Sequence, residues 1–276
     1  MKHALSFGAA LSAAVLLTSP AWAQSGIGSG IGTEPIVTLE VLDGWPLANG
    51  GQMMAFHFQL ADGWKTYWRS PGSAGIPPRF DWTGSRNLEA VQFLWPRPRV
   101  FDDDGLRTVG YSRELVLPVA LAPRAEGTPV SLSGKVEIGV CLDVCVPVEL
   151  DFAAALTPSD SRDARISDAL SLRPVSASQA HVSGIDCVIE PIDDGMRVTA
   201  TIDVPSQGAN ETAIIEAADP SVWVSDPVTQ RKGDTITVTS DLVPVQAAPF
   251  FLQRSDVTIT VLGDTQAAEI RGCSVS

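Results

Sequence analysis

Short runs in which apolar and polar residues alternate fill the chain from residue 36 onward, and they predict β-strands. In the second run, every second residue from Met54 to Leu60 is large and apolar, so these side chains share one face of a strand. Gly, Pro, Asn or Asp residues separate the runs and mark turns. The first half contains predicted strands at 36–42, 53–60, 88–94, 115–121, 130–140 and 146–152.

A second series of short strands begins near residue 180, again with turn residues between the runs. Neither half shows helices alternating with strands, as a parallel α/β sheet requires. The pattern therefore predicts an all-β protein built from two β-sandwich domains. The predicted strands of the second series lie at 181–190, 196–204, 213–216, 223, 235–239, 250–252 and 257–262.

The segment between the two series contains the only helical pattern. Ser159 or Ser161 is suited to cap a helix that ends before Pro174. Most of the segment is polar, so we interpret residues 157–179 as a short helical or irregular connector. Its apolar positions would form a narrow stripe: Ala164, Ala169 and Leu170.

The N-terminus has the features of a secretory signal. Lys2 and His3 precede an apolar run, and Ala21-Trp22-Ala23 forms an A-x-A cleavage site. A retained membrane anchor would need about 20 apolar residues, and polar residues and a proline interrupt this run. We therefore predict a signal peptide at 1–23, cleaved after Ala23, and a periplasmic protein without a membrane span. A flexible leader (24–35), a first domain (36–156), the connector (157–179) and a second domain (180–276) follow.

The charge of the chain excludes some classes of function. The net charge is −13 at pH 7, which disfavours nucleic acid as a partner. No glycine-rich phosphate loop, metalloprotease helix or nucleophile elbow is present, so we expect neither a cofactor nor hydrolase chemistry.

Cys141 and Cys145 are the residues of the sequence that say most about its chemistry. In an extended strand their Cα atoms would be about 13 Å apart, whereas a disulfide needs them within about 7 Å, so the chain must turn at residues 142–144. A ring this small stabilises a fold by only about 2 kcal/mol in the chain-entropy model. Cys187 and Cys273 would close a much longer loop, worth about 4.5 kcal/mol, and we interpret them as a structural disulfide.

The spacing of Cys141 and Cys145 leaves three roles open. The pair could be redox-active, or a small structural disulfide at a hairpin. A Cu(I) or Zn(II) site is the third alternative, because thiolates bind both metals. Met53, Met54 and His57 are near one another in sequence, but they alternate between strand faces, and we assign no metal ligands.

Three segments of the first half resemble a known family. They are GWKTYWRSPGSAGIPP at 63–78, FLWPRPRVFDDDGLRTVGYSRELVLPV at 93–119 and GKVEIGVCLDVCVPVELDF at 134–152. On these segments, residues of about 34–155 resemble the periplasmic N-terminal domain of the DsbD thiol:disulfide interchange proteins, including ScsB-like relatives linked to copper tolerance.

The resemblance implies an immunoglobulin-like sandwich with its cysteine pair at one end. In that family, electrons pass from a membrane-embedded domain to periplasmic oxidoreductases. The resemblance places Cys141 and Cys145 at the redox positions and a cap loop at residues 101–105. It also implies supporting residues beside the disulfide or in the cap: Tyr67, Trp68, Phe101, Asp103 and Pro147.

The functional expectation is a periplasmic thiol-disulfide interchange protein, an oxidoreductase-type component. Its Cys141/Cys145 pair would relay electrons from a membrane-embedded DsbD/CcdA-like donor to a thioredoxin-fold periplasmic partner. We expect these to be separate proteins, because the chain contains neither a membrane domain nor a thioredoxin-like one. Two alternatives stay open: a non-catalytic exported binding module with structural disulfides, and a copper-tolerance protein that binds Cu(I) through its thiols. Residues 180–276 resemble no family.

Overall fold

The structure is a computed structural model that describes residues 35–103, 105–156, 162–245 and 251–273. The predicted signal peptide with its cleavage site after Ala23 lies outside the described residues, as does the leader up to residue 34. Within the described residues, no helix is long and apolar enough to cross a membrane.

The first half consists of two antiparallel sheets. One sheet has the strand order β1-β2-β8-β5, and the other has the order β10-β9-β3-β7-β6, with β4 paired to β9. The strands are β1 (Val37–Pro46), β2 (Gln52–Leu60), β3 (Lys65–Tyr67), β4 (Arg79–Asp81), β5 (Leu88–Phe93), β6 (Arg99–Asp103), β7 (Leu106–Ser112), β8 (Glu114–Pro123), β9 (Ser131–Cys141) and β10 (Cys145–Ala155).

The second half follows α-helix α1 (Ala164–Ser171) and again forms two sheets. Their strand orders are β11-β19-β18-β14 and β12-β13-β17-β15, with β16 paired to β17. A 3-10 turn at Arg254–Asp256 precedes β18. The strands are β11 (Val175–Ser176), β12 (Gly184–Ile192), β13 (Gly195–Asp203), β14 (Thr212–Ala217), β15 (Val222–Val224), β16 (Val228–Lys232), β17 (Thr235–Pro244), β18 (Val257–Leu262) and β19 (Ala267–Arg271).

Apolar side chains fill the space between the sheets of each half. In the first half the core is rich in aromatic rings; Phe56 lies 4.9 Å from Phe152 and 5.4 Å from Phe80, measured between ring centroids. In the second half, small and β-branched residues from β13, β17 and β18 form a separate core. The prediction of an all-β, immunoglobulin-like fold is confirmed.

Strand β2 is buried on both faces, which the alternation pattern did not predict. Met53, Ala55 and His57 lie on the face opposite Met54 and Phe56, and each of the three is also at most 5% exposed. Helix α1 covers this face, with Ile166 packed in a cluster that includes Met53 and Ala55. The sheet is therefore sandwiched between the main core and the helix.

Helix α1 differs in detail from its prediction. Asp163 is its N-cap, and its side chain accepts a hydrogen bond from the Arg165 backbone N–H. The predicted caps Ser159 and Ser161 lie outside the described residues. Ala169 of the predicted stripe is buried and Leu170 is half-buried, whereas Ala164 is exposed and Ile166, which was not predicted, is buried, because the helix packs with Ile166 inward. Residues 251–252, predicted as part of a strand, have no regular structure.

The two halves contact each other through charged and apolar groups. Arg69 donates to both carboxylate oxygens of Glu216, at 2.8 and 2.9 Å, and to Glu269 at 2.8 Å. Burial lowers the pKa of Arg69, but the two carboxylates raise it more, so that it lies above its ordinary value. Beside this cluster, a cavity of about 540 Å³ lies between the halves.

Candidate redox site

Cys141 and Cys145 lie at the tip of the β9–β10 hairpin. Cys141 is the last residue of β9, and Cys145 is the first of β10, directly opposite it. The two are disulfide-bonded, with their Cα atoms 4.1 Å apart. Residues 142–144 form the tight loop that the spacing predicted.

The hairpin tip is open to solvent. Cys145 is exposed, whereas Cys141 is half-buried. Within the loop, Leu142 is 46% exposed and Val144 is 69% exposed. Cys145 is therefore the more exposed residue of the pair.

Tyr67 contacts the disulfide directly. Its phenol is buried, and its hydroxyl donates to Cys145 Sγ at 2.9 Å. Gly139 is the residue that leaves room for this ring, because a Cβ atom there would lie 2.7 Å from Tyr67 Cδ2. The backbone is further held by Thr66, whose hydroxyl donates to the Gly139 carbonyl at 2.8 Å. Tyr67 thus presents a hydrogen-bond donor to one of the two sulfurs.

The strand register arranges the site in two rows across the second sheet. Directly opposed residues of an antiparallel pair point to the same side, and this side alternates along each strand. The face of Tyr67 is therefore also the face of both cysteines. The first row is Cys145, Cys141, Lys65 and Ser112, and the second is Pro147, Gly139, Tyr67, Gly110 and Arg99.

The predicted cap loop is the turn of the β6–β7 hairpin. Phe101 lies on β6, with Lys65 Nζ 4.8 Å from the centroid of its ring. The Asp102 carboxylate accepts a hydrogen bond from the backbone N–H of Gly105, which has a left-handed φ of 85°. Asp103 ends β6 opposite Leu106, a residue that is 61% exposed. The turn thus places an aromatic ring beside the lysine that neighbours Cys141.

The remaining supporting residues occupy different surroundings. Trp68 is fully buried in the core of the first half, and the Arg69 guanidinium lies 4.5 Å from the centroid of its ring. Pro147 is exposed on β10, paired with Gly139. Of the three predicted aromatic residues, Tyr67 contacts the disulfide and Phe101 contacts Lys65, whereas Trp68 is a core residue.

The second disulfide has the opposite environment. Cys187 and Cys273 are bonded, with Cα atoms 5.6 Å apart, and are 2% and 1% exposed. Arg254 covers this pair: its side chain donates to the Cys187 carbonyl at 2.5 Å, and its own carbonyl accepts from the Cys273 N–H at 2.8 Å. A thiol in solution has no direct access to these sulfurs.

Among the described residues, no three His, Cys, Asp or Glu side chains form a group that could hold a metal ion. His57 lies between two carboxylates instead, with its ring nitrogens 3.4 Å from Glu40 and 2.9 Å from Glu114. Met53 and Met54 are buried core residues.

Sequence reasoning missed two residues of the site. Gly139 stands inside a β-rich run two positions before Cys141, and an isolated glycine in a strand signals a close approach of another group. Lys65 carries no such signal, since its place beside Cys141 depends on the pairing of β3 with β9.

Comparison with known proteins identifies the first half. Residues 40–157 match the family model described as the thiol:disulfide interchange protein DsbD, N-terminal. This segment is a DsbD-like N-terminal domain. No curated protein matches the chain.

A solved structure resembles the DsbD-like domain together with the second half. It is the N-terminal periplasmic domain of ScsB from Proteus mirabilis, with a TM-score of 0.66 and 21% identity over 90% of this chain and 97% of that one. At this identity the likeness shows the fold alone. The family match over the DsbD-like domain supports a thiol:disulfide interchange module.

Proposed function

We propose that the chain is an exported, periplasmic thiol:disulfide interchange protein that relays electrons through Cys141 and Cys145. The donor would be a membrane-embedded DsbD/CcdA-like carrier, and the acceptor a thioredoxin-fold periplasmic protein. Export through the signal peptide cleaved after Ala23 belongs to the same proposal. The match of residues 40–157 to the DsbD N-terminal family supports it.

The contrast in exposure between the two disulfides carries the proposal. Disulfide exchange needs in-line access of a thiolate to one sulfur. Cys145 is exposed at a hairpin tip and accepts a hydrogen bond from Tyr67, whereas Cys187 and Cys273 are buried. We therefore assign exchange to the first pair and a structural role to the second.

The relay consists of two balanced exchanges. A thiolate of the donor attacks Cys145 Sγ; a new S–S bond forms, and the Cys141–Cys145 bond breaks with its electron pair on Cys141. The second donor thiol then resolves the mixed disulfide, so two electrons and two protons have moved to the cysteine pair. The reverse sequence, starting from the Cys145 thiolate, reduces the disulfide of the acceptor.

The apolar side chains near the disulfide give a partner a surface to bind. Leu142 and Val144 flank Asp143 in the hairpin loop and are both exposed. Large exposed apolar residues at one end of a domain are typical of interaction sites. We assign them to docking of the thioredoxin-fold partner around Cys145.

A trapping experiment tests this function. Cys141→Ser leaves Cys145 to form a mixed disulfide but removes the thiol that would resolve it. The probe is a thioredoxin in which serine replaces the resolving cysteine and the remaining cysteine forms a mixed disulfide with a small aromatic thiol. The Cys141→Ser variant should displace the aromatic thiol and give a stable 1:1 adduct through Cys145.

Cys145→Ser is the matched control, because it retains the half-buried Cys141 alone and should form at least tenfold less adduct. Equal adduct yields from the two variants would contradict the assignment of Cys145 as the exchanging sulfur. No adduct with either variant would contradict the relay itself.

A further inference from the structure

The loop between β3 and β4 (residues 68–78) follows directly after Tyr67, whose hydroxyl donates to Cys145 Sγ. Near its end, the loop returns to the same ring. A Cβ atom added at Gly139 would lie 2.6 Å from Ile76 Cβ and 2.7 Å from Tyr67 Cδ2, so Ile76 and the Tyr67 ring lie next to each other over this glycine. The loop therefore starts at the ring that contacts the disulfide and packs against that ring again.

The second half of the protein holds this β3–β4 loop at two points. At the first, Arg69 donates to Glu216 and Glu269, and the side chains of these carboxylates are only 14% and 18% exposed. At the second, the Asp226 carboxylate accepts from the backbone N–H of Ser73 at 2.9 Å and from its hydroxyl at 2.7 Å. In the described part of the chain, all side-chain hydrogen bonds of the loop go to the second half.

The shape of the loop fits the second contact closely. Gly72 has a left-handed φ of 86°, and a Cβ atom there would lie 2.9 Å from the Arg107 carbonyl oxygen and 3.3 Å from Asp226 Oδ1. On the side of the first half, the Val109 N–H donates to the Pro71 carbonyl at 2.9 Å. The loop thus lies directly between β7 and Asp226.

We propose that Asp226, together with the carboxylates around Arg69, positions Tyr67 for its bond to Cys145. The second half would hold the loop in place, and the loop would keep Ile76 packed against the Tyr67 ring. A hydrogen bond weakens steeply when its distance or angle changes, so a small displacement of the ring weakens the bond to sulfur. The second half thereby tunes the redox equilibrium of Cys141–Cys145. Asp226 is a positioning residue, and this inference rests on the proposed function of the pair.

Three variants of the full mature protein test the inference. Asp226→Ala removes both bonds to Ser73 from an exposed site, whereas Asp226→Asn keeps an oxygen that accepts from the Ser73 N–H. Asp219→Ala is the matched control. Asp219 accepts from the N–H and the hydroxyl of Ser221 at 2.8 and 2.7 Å, but both residues belong to the second half.

The measurement is equilibration with dithiothreitol, with alkylated peptides reporting the Cys141–Cys145 pair separately. Asp226→Ala should shift the equilibrium toward the disulfide about threefold, or about 14 mV. The shift should be smaller than that of Tyr67→Phe, because the hydroxyl is displaced rather than removed. Asp226→Asn and Asp219→Ala should stay within about 1.5-fold of the wild type, since the first keeps a contact to the loop and the second does not touch it.

A second background shows whether the effect passes through the Tyr67 hydroxyl. In a Tyr67→Phe protein, Asp226→Ala should cause no further shift, because the bond that it weakens is already absent. The inference is overturned if Asp226→Ala matches the wild type, if Asp219→Ala shifts the equilibrium as far, or if the shift persists undiminished in the Tyr67→Phe background.

These measurements use no partner protein. A failure of the Cys141→Ser trap would contradict the relay, whereas an unchanged equilibrium in Asp226→Ala would contradict only the positioning role of the second half.

Discussion

Replacing Tyr67 by phenylalanine removes one hydrogen bond from the site and leaves the ring against Gly139. The lost bond joins the phenol oxygen to Cys145 Sγ over 2.9 Å. A donor stabilises a thiolate more than a neutral disulfide sulfur, because hydrogen bonds to charged groups are worth about 1.5–3 kcal/mol and neutral ones about 0.5–1.5 kcal/mol. The difference, about 1–1.5 kcal/mol, favours the reduced protein. Tyr67→Phe should therefore make the reduction potential of the pair more negative by about 20–30 mV.

The matched control is Tyr111→Phe, at the only other tyrosine of the chain. The Tyr111 hydroxyl is buried and donates to the Pro96 carbonyl at 2.8 Å, away from sulfur. Its loss should cost about 1–3 kcal/mol of unfolding free energy and leave the Cys141–Cys145 potential unchanged.

The assay is equilibration in thiol redox buffers followed by mass spectrometry of alkylated peptides, with urea unfolding for stability. A Tyr67→Phe potential equal to that of the wild type, or one that is more positive, would refute the role given to this hydroxyl. An equal shift in Tyr111→Phe would assign the effect to stability instead.

Three further predictions concern packing, pH and the second disulfide. Gly139→Ala should cost about 1–3 kcal/mol in urea unfolding and lower the potential as Tyr67→Phe does, because the new Cβ would displace that ring. Burial raises the pKa of Glu269, but Arg69 lowers it more, so that the pKa lies below the ordinary 4.5 and the carboxylate stabilises the fold only while it is ionised. Glu269→Gln should therefore destabilise the protein at pH 7. In unfolding curves, its difference in stability from the wild type should fade as the pH falls below about 4.5. Replacing Cys187 and Cys273 by serine should cost about 4.5 kcal/mol of stability and leave the reaction of Cys141–Cys145 with dithiothreitol unchanged.

Each of these would be contradicted by a specific result. Gly139→Ala with a wild-type potential would show that the ring does not depend on the missing Cβ. A Glu269→Gln deficit that does not diminish at all as the pH falls below about 4.5 would show that the ionised pair with Arg69 is not its source. A changed rate at Cys141–Cys145 in the double serine variant would show that the two disulfides are coupled.

The alternating pattern shows most clearly in the longest strands that were predicted from sequence. Strands β2, β8 and β9 have ten or so residues with turn residues at both ends. By contrast, β3 and β4 have three residues each, which is too few for a period of two to be visible. The burial of both faces of β2 could not be predicted from its own sequence either, because it depends on a helix more than 100 residues later in the chain.

The same distinction applies to the site. Cys141 and Cys145 are only four positions apart in the chain, so a disulfide between them requires a turn, and the spacing alone predicts it. The hydrogen bond from Tyr67 to Cys145 spans 78 residues, and the placement of Lys65 beside Cys141 spans a similar distance. Both depend on the register between strands, which no local pattern specifies. The resemblance to a known family pointed to Tyr67, but it did not point to Lys65 or Gly139.

The most direct test of the account is the reduction potential of each cysteine pair, measured in the same mature protein. The account predicts a potential between about −270 and −120 mV for Cys141–Cys145, in the range of oxidoreductases, and one below about −300 mV for Cys187–Cys273. If both pairs lie below about −300 mV, the exposed disulfide is a structural element, and the central claim of electron relay is contradicted.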